Sequence, residues 1–296
     1  MRQGGETGRV VELAASDVLT KEVLGWKGLH LFHFSGSSCS QKLRIYLNLK
    51  GIAPSLHSVN LVKHENETDW YMGINPRGLV PTLIDDGKVI IESNDIITYL
   101  EAKFPSPALI PEGQRDKVGA LLDFEDRLHM DLRALTMRFF VPAAIVQRSD
   151  AQLAQYAAAG SGQVRGSADD HKADEMAFWR DMKEHNGVPE TRTKAAVEAF
   201  RAAFDDHETA LVERPYLLGE TLSVLDIAWY VYANRLRGAG YPLARLHPRV
   251  GAWFAKLDQN KMLRREVAQP LPLQMVSAGL RLVHRAKGKH IQTYLS

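Results

Sequence analysis

Nearly all the β-type patterning in this 296-residue chain lies ahead of one proline cluster, Phe104-Pro105-Ser106-Pro107 with Pro111 just beyond. Proline fixes φ and lacks an N–H, so a cluster of this kind ends regular structure and marks a boundary. A chain divided there folds as an α+β domain followed by an all-α domain, and 296 residues are enough to give each a core. Ahead of the boundary, residues 29–34 (LHLFHF) read as a buried strand. The turn Ser35-Gly36-Ser37-Ser38 then opens a helix that Gly51 stops. Residues 56–61 predict a second strand and residues 69–72 a short helix. Two apolar runs, 79–84 and 89–91, flank Asp85-Asp86-Gly87-Lys88, a strong antiparallel hairpin signal. Residues 93–103 place Ile96, Ile97 and Leu100 on one helical face. The predicted order is βαβ, a connecting segment, then ββα.

Composition removes several function classes. The net charge of +2 gives no electrostatic footprint for nucleic acid. The first eighteen residues lack an uninterrupted apolar core and do not read as a signal peptide. No run approaches the roughly 18 apolar residues that span a bilayer. A single cysteine, Cys39, forbids an intrachain disulfide and fits a reducing, cytoplasmic setting. No metal site is expected: the 11 histidines form no ligand motif. His30 and His33 are three apart in a strand and point to opposite faces.

Beyond the boundary, residues 116–146 carry a long helical pattern, and 151–170, rich in Ala, Gly, Gln and Ser, read as a loop or weak helix. Residues 194–212 are helical, and Ser223 with Asp226 opens another helix in capping-box spacing. Pro248 starts a helix whose apolar face is Val250, Trp253, Phe254 and Leu257. The expected divisions are an N-terminal extension (1–27, with a short helix at 17–24), the α+β domain (28–104), a linker (105–113), the helical domain (114–269) and a basic tail (270–296). That tail, with Arg281, His284, Arg285, Lys287, Lys289 and His290, reads as a solvated segment over a surface groove or as a contact for a partner chain or an acidic membrane surface.

Three features carry chemistry. Ser37-Ser38-Cys39-Ser40-Gln41-Lys42 sits at a strand-to-helix junction, where unsatisfied N–H groups and the helix dipole favour an anion. A thiol with a pKa of about 8.5 is a few per cent thiolate at neutral pH, and hydroxyl donors at this junction would raise that fraction. Alternatively Ser37 or Ser38 only caps the helix. Val80-Pro81 places proline in an apolar run, which a cis bond at the start of the strand would accommodate. Glu92-Ser93 precedes a helix: Ser93 is a cap candidate, the helix N-terminus can receive a carboxylate, and Glu92 can meet an ammonium group. Together they form a site for a zwitterionic head.

These residues carry a resemblance. SSCSQKLRIYLNLKGI, NPRGLVPTLIDDGKVIIESNDIITYLEAKFP and SVLDIAWY, spread over roughly residues 29–268, resemble a cytosolic glutathione transferase. The resemblance implies a thioredoxin-like first domain with a mixed four-stranded sheet that binds glutathione, and a helical-bundle domain that shapes the electrophile pocket. It implies that Val80, before cis-Pro81, pairs with the cysteinyl backbone, that Glu92 and Ser93 hold the γ-glutamyl head, and that Lys63 or His64 approaches the glycyl carboxylate. The serines would address the sulfur, Ser38 before Ser37. Phe124, His129, Phe139, Phe140, Trp179 and Tyr230 are pocket candidates, with core packing the alternative for each.

Within the family, SSCSQKLR resembles zeta-class maleylacetoacetate isomerases, and S-x-C-S-x-K resembles reductive dehalogenases of chlorinated hydroquinones. The segment DWYMGINPRGLVPTLIDDGKVIIES and the longer second domain, with its insertion around residues 147–189, resemble bacterial β-aryl etherases that cleave lignin-derived ethers. That likeness implies attack of the glutathione thiolate on a carbon bearing an aryloxy group. Cys39, at a helix N-terminus, is the candidate for a mixed disulfide in a thiol transferase or dehalogenase. A non-catalytic binding or dimerisation module is the remaining class, and the intact serine, Val80-Pro81 and Glu92-Ser93 set argues against it. The resemblance also implies a two-fold dimer, with an identical or a related subunit.

Overall fold

The computed structural model describes residues 10–142, 148–269 and 271–295. The chain separates into two compact units: residues 1–108 with 148–180, and residues 109–147 with 181–296. The first division falls between residues 108 and 109, and the segment 148–180 groups with the first unit, not with the helices that follow it in sequence.

The first unit holds a four-stranded mixed sheet, β2-β1-β3-β4. Strands β1 (Leu29–His33) and β2 (Ser55–Ser58) run parallel, with Leu31 opposite Leu56. Strand β3 (Thr82–Asp85) pairs antiparallel with β1 and with β4 (Lys88–Ile91). Strand β2 is shorter than predicted because the Asn60 side chain accepts hydrogen bonds from the N–H groups of Val62 and Lys63 and winds the chain into a 3-10 turn. The β3–β4 turn has positive φ at both Asp86 (48°) and Gly87 (84°), the I′ geometry that Asp-Gly favours. Gly87 is also required sterically, since a Cβ there would lie 2.1 Å from the Leu24 carbonyl oxygen.

Adjacent strand residues point to opposite faces, and both faces here are covered. Helices α1 (Ser38–Lys50) and α3 (Ser93–Lys103) pack side by side and bury Leu43, Leu47, Ile96, Ile97 and Leu100. Gly51, at φ 68°, ends α1 as expected. Phe32, Ile84, Val89 and Ile91 form a second core with Leu13, Val18 and Val23 of the N-terminal extension and with Tyr71 and Ile74 near the short helix α2 (Asp69–Met72). The extension covers the β4 edge: Leu13 N–H donates to Val89 O (2.8 Å) and Ile91 N–H to Val11 O (3.1 Å). An edge strand left open is a template for pairing with another chain, and this segment closes it. Residues 21–25 form a 3-10 helix where a short helix at 17–24 was expected. Residues 1–9 of the predicted extension lie outside the described residues.

The stretch predicted as loop or weak helix contains α6 (Asp150–Ala158), opened by a capping box between Ser149 and Gln152. After it comes a small hairpin, β5 (Gln163–Val164) and β6 (Ser167–Ala168), then α7 (His171–Glu184). The buried Asp17 carboxylate accepts hydrogen bonds from Gly166 N–H (3.0 and 3.1 Å) and Ala14 N–H (2.9 Å), which ties hairpin and extension together.

In the second unit the long pattern predicted at 116–146 is two helices, α4 (Arg115–Arg127) and α5 (His129–Phe139), joined at Leu128; residues 143–147 lie outside the described residues. Helix α8 (Glu190–Ala210) follows, then α9 (Val224–Ala239), in which 12 of 16 residues are buried. A helix apolar on every side belongs at the centre of a bundle, and α9 packs against α4, α5, α10 (Leu243–Leu246), α11 (Pro248–Asp258), α12 (Lys261–Val267) and α13 (Leu271–Ala286). Asp226 works as the capping residue expected: its carboxylate accepts from Ser223 N–H and Leu217 N–H, both at 2.9 Å, and from the Trp253 indole. The predicted basic tail contains a helix. Pro272 sits in the first turn of α13, where its missing N–H costs no intrahelical bond. No helix among the described residues is long and apolar enough to cross a membrane.

Candidate functional site

The first unit brings the three sequence motifs onto adjoining elements. At the start of α1, Ser37 is the N-cap and its Oγ accepts the Ser40 N–H (3.3 Å). The Ser37 hydroxyl in turn points at the Val80 carbonyl oxygen, 3.5 Å away. Capping therefore occupies Ser37, the alternative the sequence left open. Ser38 and Cys39 take the first two helical positions and are half-buried. Ser40 is fully buried, with its Oγ accepting Phe34 N–H. The first turn of α1 holds no acidic residue, so nothing in it opposes an anion at the helix N-terminus.

The Val80–Pro81 bond is cis, and Pro81 lies just ahead of β3 rather than within it. The loop before it is tightly held: the Tyr71 hydroxyl donates to Leu79 O (2.6 Å), and Asn75 Nδ2 donates to Leu79 O and Thr82 Oγ1, both at 2.9 Å. The third motif is linked to the first by Lys42 Nζ, which donates to Asn94 Oδ1 at 2.7 Å and so joins α1 to the start of α3.

At that start the structure corrects the assignment of caps. Glu92, at φ 66°, occupies the N-cap position and makes no side-chain cap, while Ser93 is the first helical residue and is buried. A non-glycine residue at positive φ is uncommon and signals that its surroundings specify it. Arg77 supplies such a partner: its Nη1 meets Glu92 Oε1 at 2.5 Å. The same guanidinium donates through Nε and Nη2 to both oxygens of Asp169 (2.9 and 2.6 Å), a bidentate pair. Burial works against the Arg77 charge, but the hydrogen bonds it donates to Asp169 and the charges of Glu92 and Asp169 outweigh it and raise its pKa.

The predicted glycyl-carboxylate residues are placed differently from each other. Lys63 is exposed on the 3-10 turn after β2. His64 is half-buried at φ 57°, and its Nδ1 lies 3.3 Å from Glu67 Oε1. Glu67 also takes Arg148 Nη1 at 2.5 Å, so the ring faces a buried ion pair.

Two family models match the chain: the glutathione S-transferase N-terminal domain over residues 31–108 and the glutathione S-transferase C-terminal domain over residues 174–256. Together they cover more than half of it. The chain belongs to the glutathione S-transferase family. A zeta-class transferase of Euphorbia esula is 45% identical to this transferase over 83 residues, 28% of this chain and 37% of that protein. The maleylacetoacetate isomerase of Pseudomonas aeruginosa is 39% identical over 85 residues, 28% of this chain and 40% of that enzyme. The chain thus spans less than half the length of these relatives in the part it matches. The LigF protein of a Sphingobium species is 25% identical over 246 residues, 80% of this chain and 91% of that one. The crystal structure of LigF, described as a β-etherase, superposes with a TM-score of 0.68 over 80% of this chain and 98% of that one.

In the transferase five of the six aromatic pocket candidates lie in the second unit and Trp179 lies in the first. Phe139, Phe140 and Tyr230 are at most 2% exposed and fill the helical core, as large rings usually do. The Tyr230 ring stacks on Phe254, and its hydroxyl donates to Asp258 (2.7 Å). Phe124 packs near Trp229, and His129 Nδ1 lies 3.2 Å from the Tyr232 hydroxyl. Trp179 belongs to the first unit, with the Arg148 guanidinium 4.1 Å above its ring. A cavity of about 520 Å³ in the helical unit is lined by none of the six, and includes Arg237, Arg245, Arg264 and Arg281 in its wall. Sequence reasoning passed over Arg77 and Asp169. Arg77 lies inside the quoted NPRGLVP run, but nothing local pairs it with a carboxylate 92 positions away.

Proposed function

We propose that this transferase binds glutathione in its first unit and uses the glutathione thiolate to cleave a β-aryl ether in a lignin-derived aromatic. The observation that carries the reading is the extent of the LigF sequence likeness, 91% of that protein, against zeta-class and isomerase sequence matches of 83 and 85 residues. The roles follow the geometry of the first unit. Ser38, in the first turn of α1, donates to the thiolate, Ser37 holds the turn, and the main chain of Val80 before Pro81 pairs with the cysteinyl residue. Glu92 takes the ammonium group, Ser93 and the start of α3 take the γ-glutamyl carboxylate, and Lys63 or His64 approaches the glycyl end. In the reaction a C–S bond forms as the C–O bond to the aryloxy group breaks, and the electron pair leaves on a phenolate. A phenol pKa of about 10 makes that anion a tolerable leaving group without a strong general acid. The catalytic work is to align thiolate and carbon and to hydrogen-bond the sulfur. The enzyme works as a cytoplasmic two-fold dimer, with glutathione as cosubstrate and no metal.

A second reading has its own support in the zeta-class likeness and in Cys39, half-buried in the same helical turn. There the chemistry is isomerisation of maleylacetoacetate, or reduction of a chlorinated hydroquinone or glutathione mixed disulfide through Cys39. Product analysis separates the two, with glutathione and a panel of a β-aryl ether ketone, maleylacetoacetate, a chlorinated hydroquinone and a glutathione mixed disulfide. Phenol and thioether formation, retained in Cys39→Ala and lost in Ser38→Ala, is expected. Turnover of the disulfide or hydroquinone alone, abolished in Cys39→Ala, would overturn the etherase reading.

A further inference from the structure

The segment from 148 to 170 packs against the loop that carries Val80 and Pro81. The Tyr156 hydroxyl donates to the Arg77 carbonyl oxygen at 2.8 Å. A Cβ added at Gly160 would lie 2.9 Å from Met72 O and 3.2 Å from Pro76 Cα, so the two backbones are in close contact. The segment therefore holds the Arg77 main chain through Tyr156 and the Arg77 side chain through Asp169. The other end of that side chain is on Glu92. All three charged side chains are under a fifth exposed, in surroundings where charges are poorly screened.

Asp169 fixes the guanidinium in a bidentate fork, which aims Nη1 at Glu92. We propose that Asp169, contributed by the hairpin segment after α6, is a positioning residue for the ammonium end of glutathione: through Arg77 it orients the Glu92 carboxylate. This rests on the reading that Glu92 receives that ammonium.

The test compares glutathione with its des-amino analogue, glutaryl-cysteinyl-glycine, by titration calorimetry against wild type, Asp169→Asn, Asp169→Glu and Glu92→Gln. Asp169→Asn is expected to weaken glutathione by about tenfold, the worth of one charge-assisted hydrogen bond, and to leave the analogue unchanged. Asp169→Glu should restore most of the loss, and in turnover Asp169→Asn should raise the KM for glutathione with kcat held. Equal weakening of both ligands in Asp169→Asn would reduce Asp169 to a structural brace and overturn the proposal, and so would no weakening of either. If Glu92→Gln abolishes the preference for glutathione over the analogue while Asp169→Asn does not, the proposal fails and the Glu92 assignment stands. If Glu92→Gln leaves that preference intact, the Glu92 assignment itself fails and the proposal with it.

Discussion

Protonation of His207 should loosen the helical unit as the pH falls below about 6.5. His207 lies near the end of α8 with its ring edge-on to Trp229, 4.2 Å between centroids, and its Nε2 is shut off from water without a hydrogen-bond partner. Burial, reinforced by His247, lowers its pKa from 6.5 to about 4. A histidine with a depressed folded pKa binds fewer protons when folded than when unfolded, so stability falls as pH drops from 6.5 towards 4. Lowering the pH from 7.5 to 5 should cost about 2 kcal/mol from this residue, out of a limit of about 3 kcal/mol reached below pH 4. The residue keeps some exposed surface, which makes these upper figures. The loss corresponds to an opening equilibrium about thirtyfold more populated. Hydrogen exchange of the α8 and α9 amides, corrected for intrinsic rate, reads it locally in a chain of two units, where one global unfolding energy is ill-defined. In His207→Leu the pH dependence should flatten, with a residue left by His247 and His284, whose pKa values burial lowers in the same direction. An identical loss of protection in wild type and His207→Leu between pH 7.5 and 5 would refute the reasoning.

Other perturbations follow from single contacts. Arg148→Met leaves Glu67 buried without its guanidinium and should cost about 3 kcal/mol in thermal unfolding, with Glu67→Gln in the same chain recovering most of it. Asp17→Ala removes the acceptor for Gly166 N–H and Ala14 N–H; a cost of about 2 kcal/mol should appear as faster hydrogen exchange across residues 163–168, and Asp17→Asn should cost less. Gly238→Ala sets a Cβ 2.1 Å from Phe140 Cζ, a buried ring with little room to move, and should lower stability by about 2 kcal/mol, partly relieved by Phe140→Leu.

Local chemistry determined much of this protein in advance. Asp86-Gly87 specified its turn because both residues tolerate positive φ, and Gly51 ended α1 for the same reason. The period of Ile96, Ile97 and Leu100 put α3 at its observed bounds, and Ser223 with Asp226 opened α9 where expected. The serine, Val80-Pro81 and Glu92-Ser93 motifs were legible as pieces because each sits at the end of an element, where sequence signals are strongest. Tertiary structure decided what those signals do not encode. Arg165 at φ 56° is a poor turn residue by propensity, so the 163–168 hairpin had no local signature; it stands with Asp17 anchoring its turn. Ser93 yielded the cap position to Glu92, whose left-handed backbone coincides with the Arg77 ion pair. Phe139 and Phe140 turned inward because adjoining helices close over them, and one-dimensional patterning does not say which apolar face finds a neighbour. Asp169 reached Arg77 across 92 residues for the same reason: an ion pair depends on distance in space, and that distance exists only once the chain has folded back on itself.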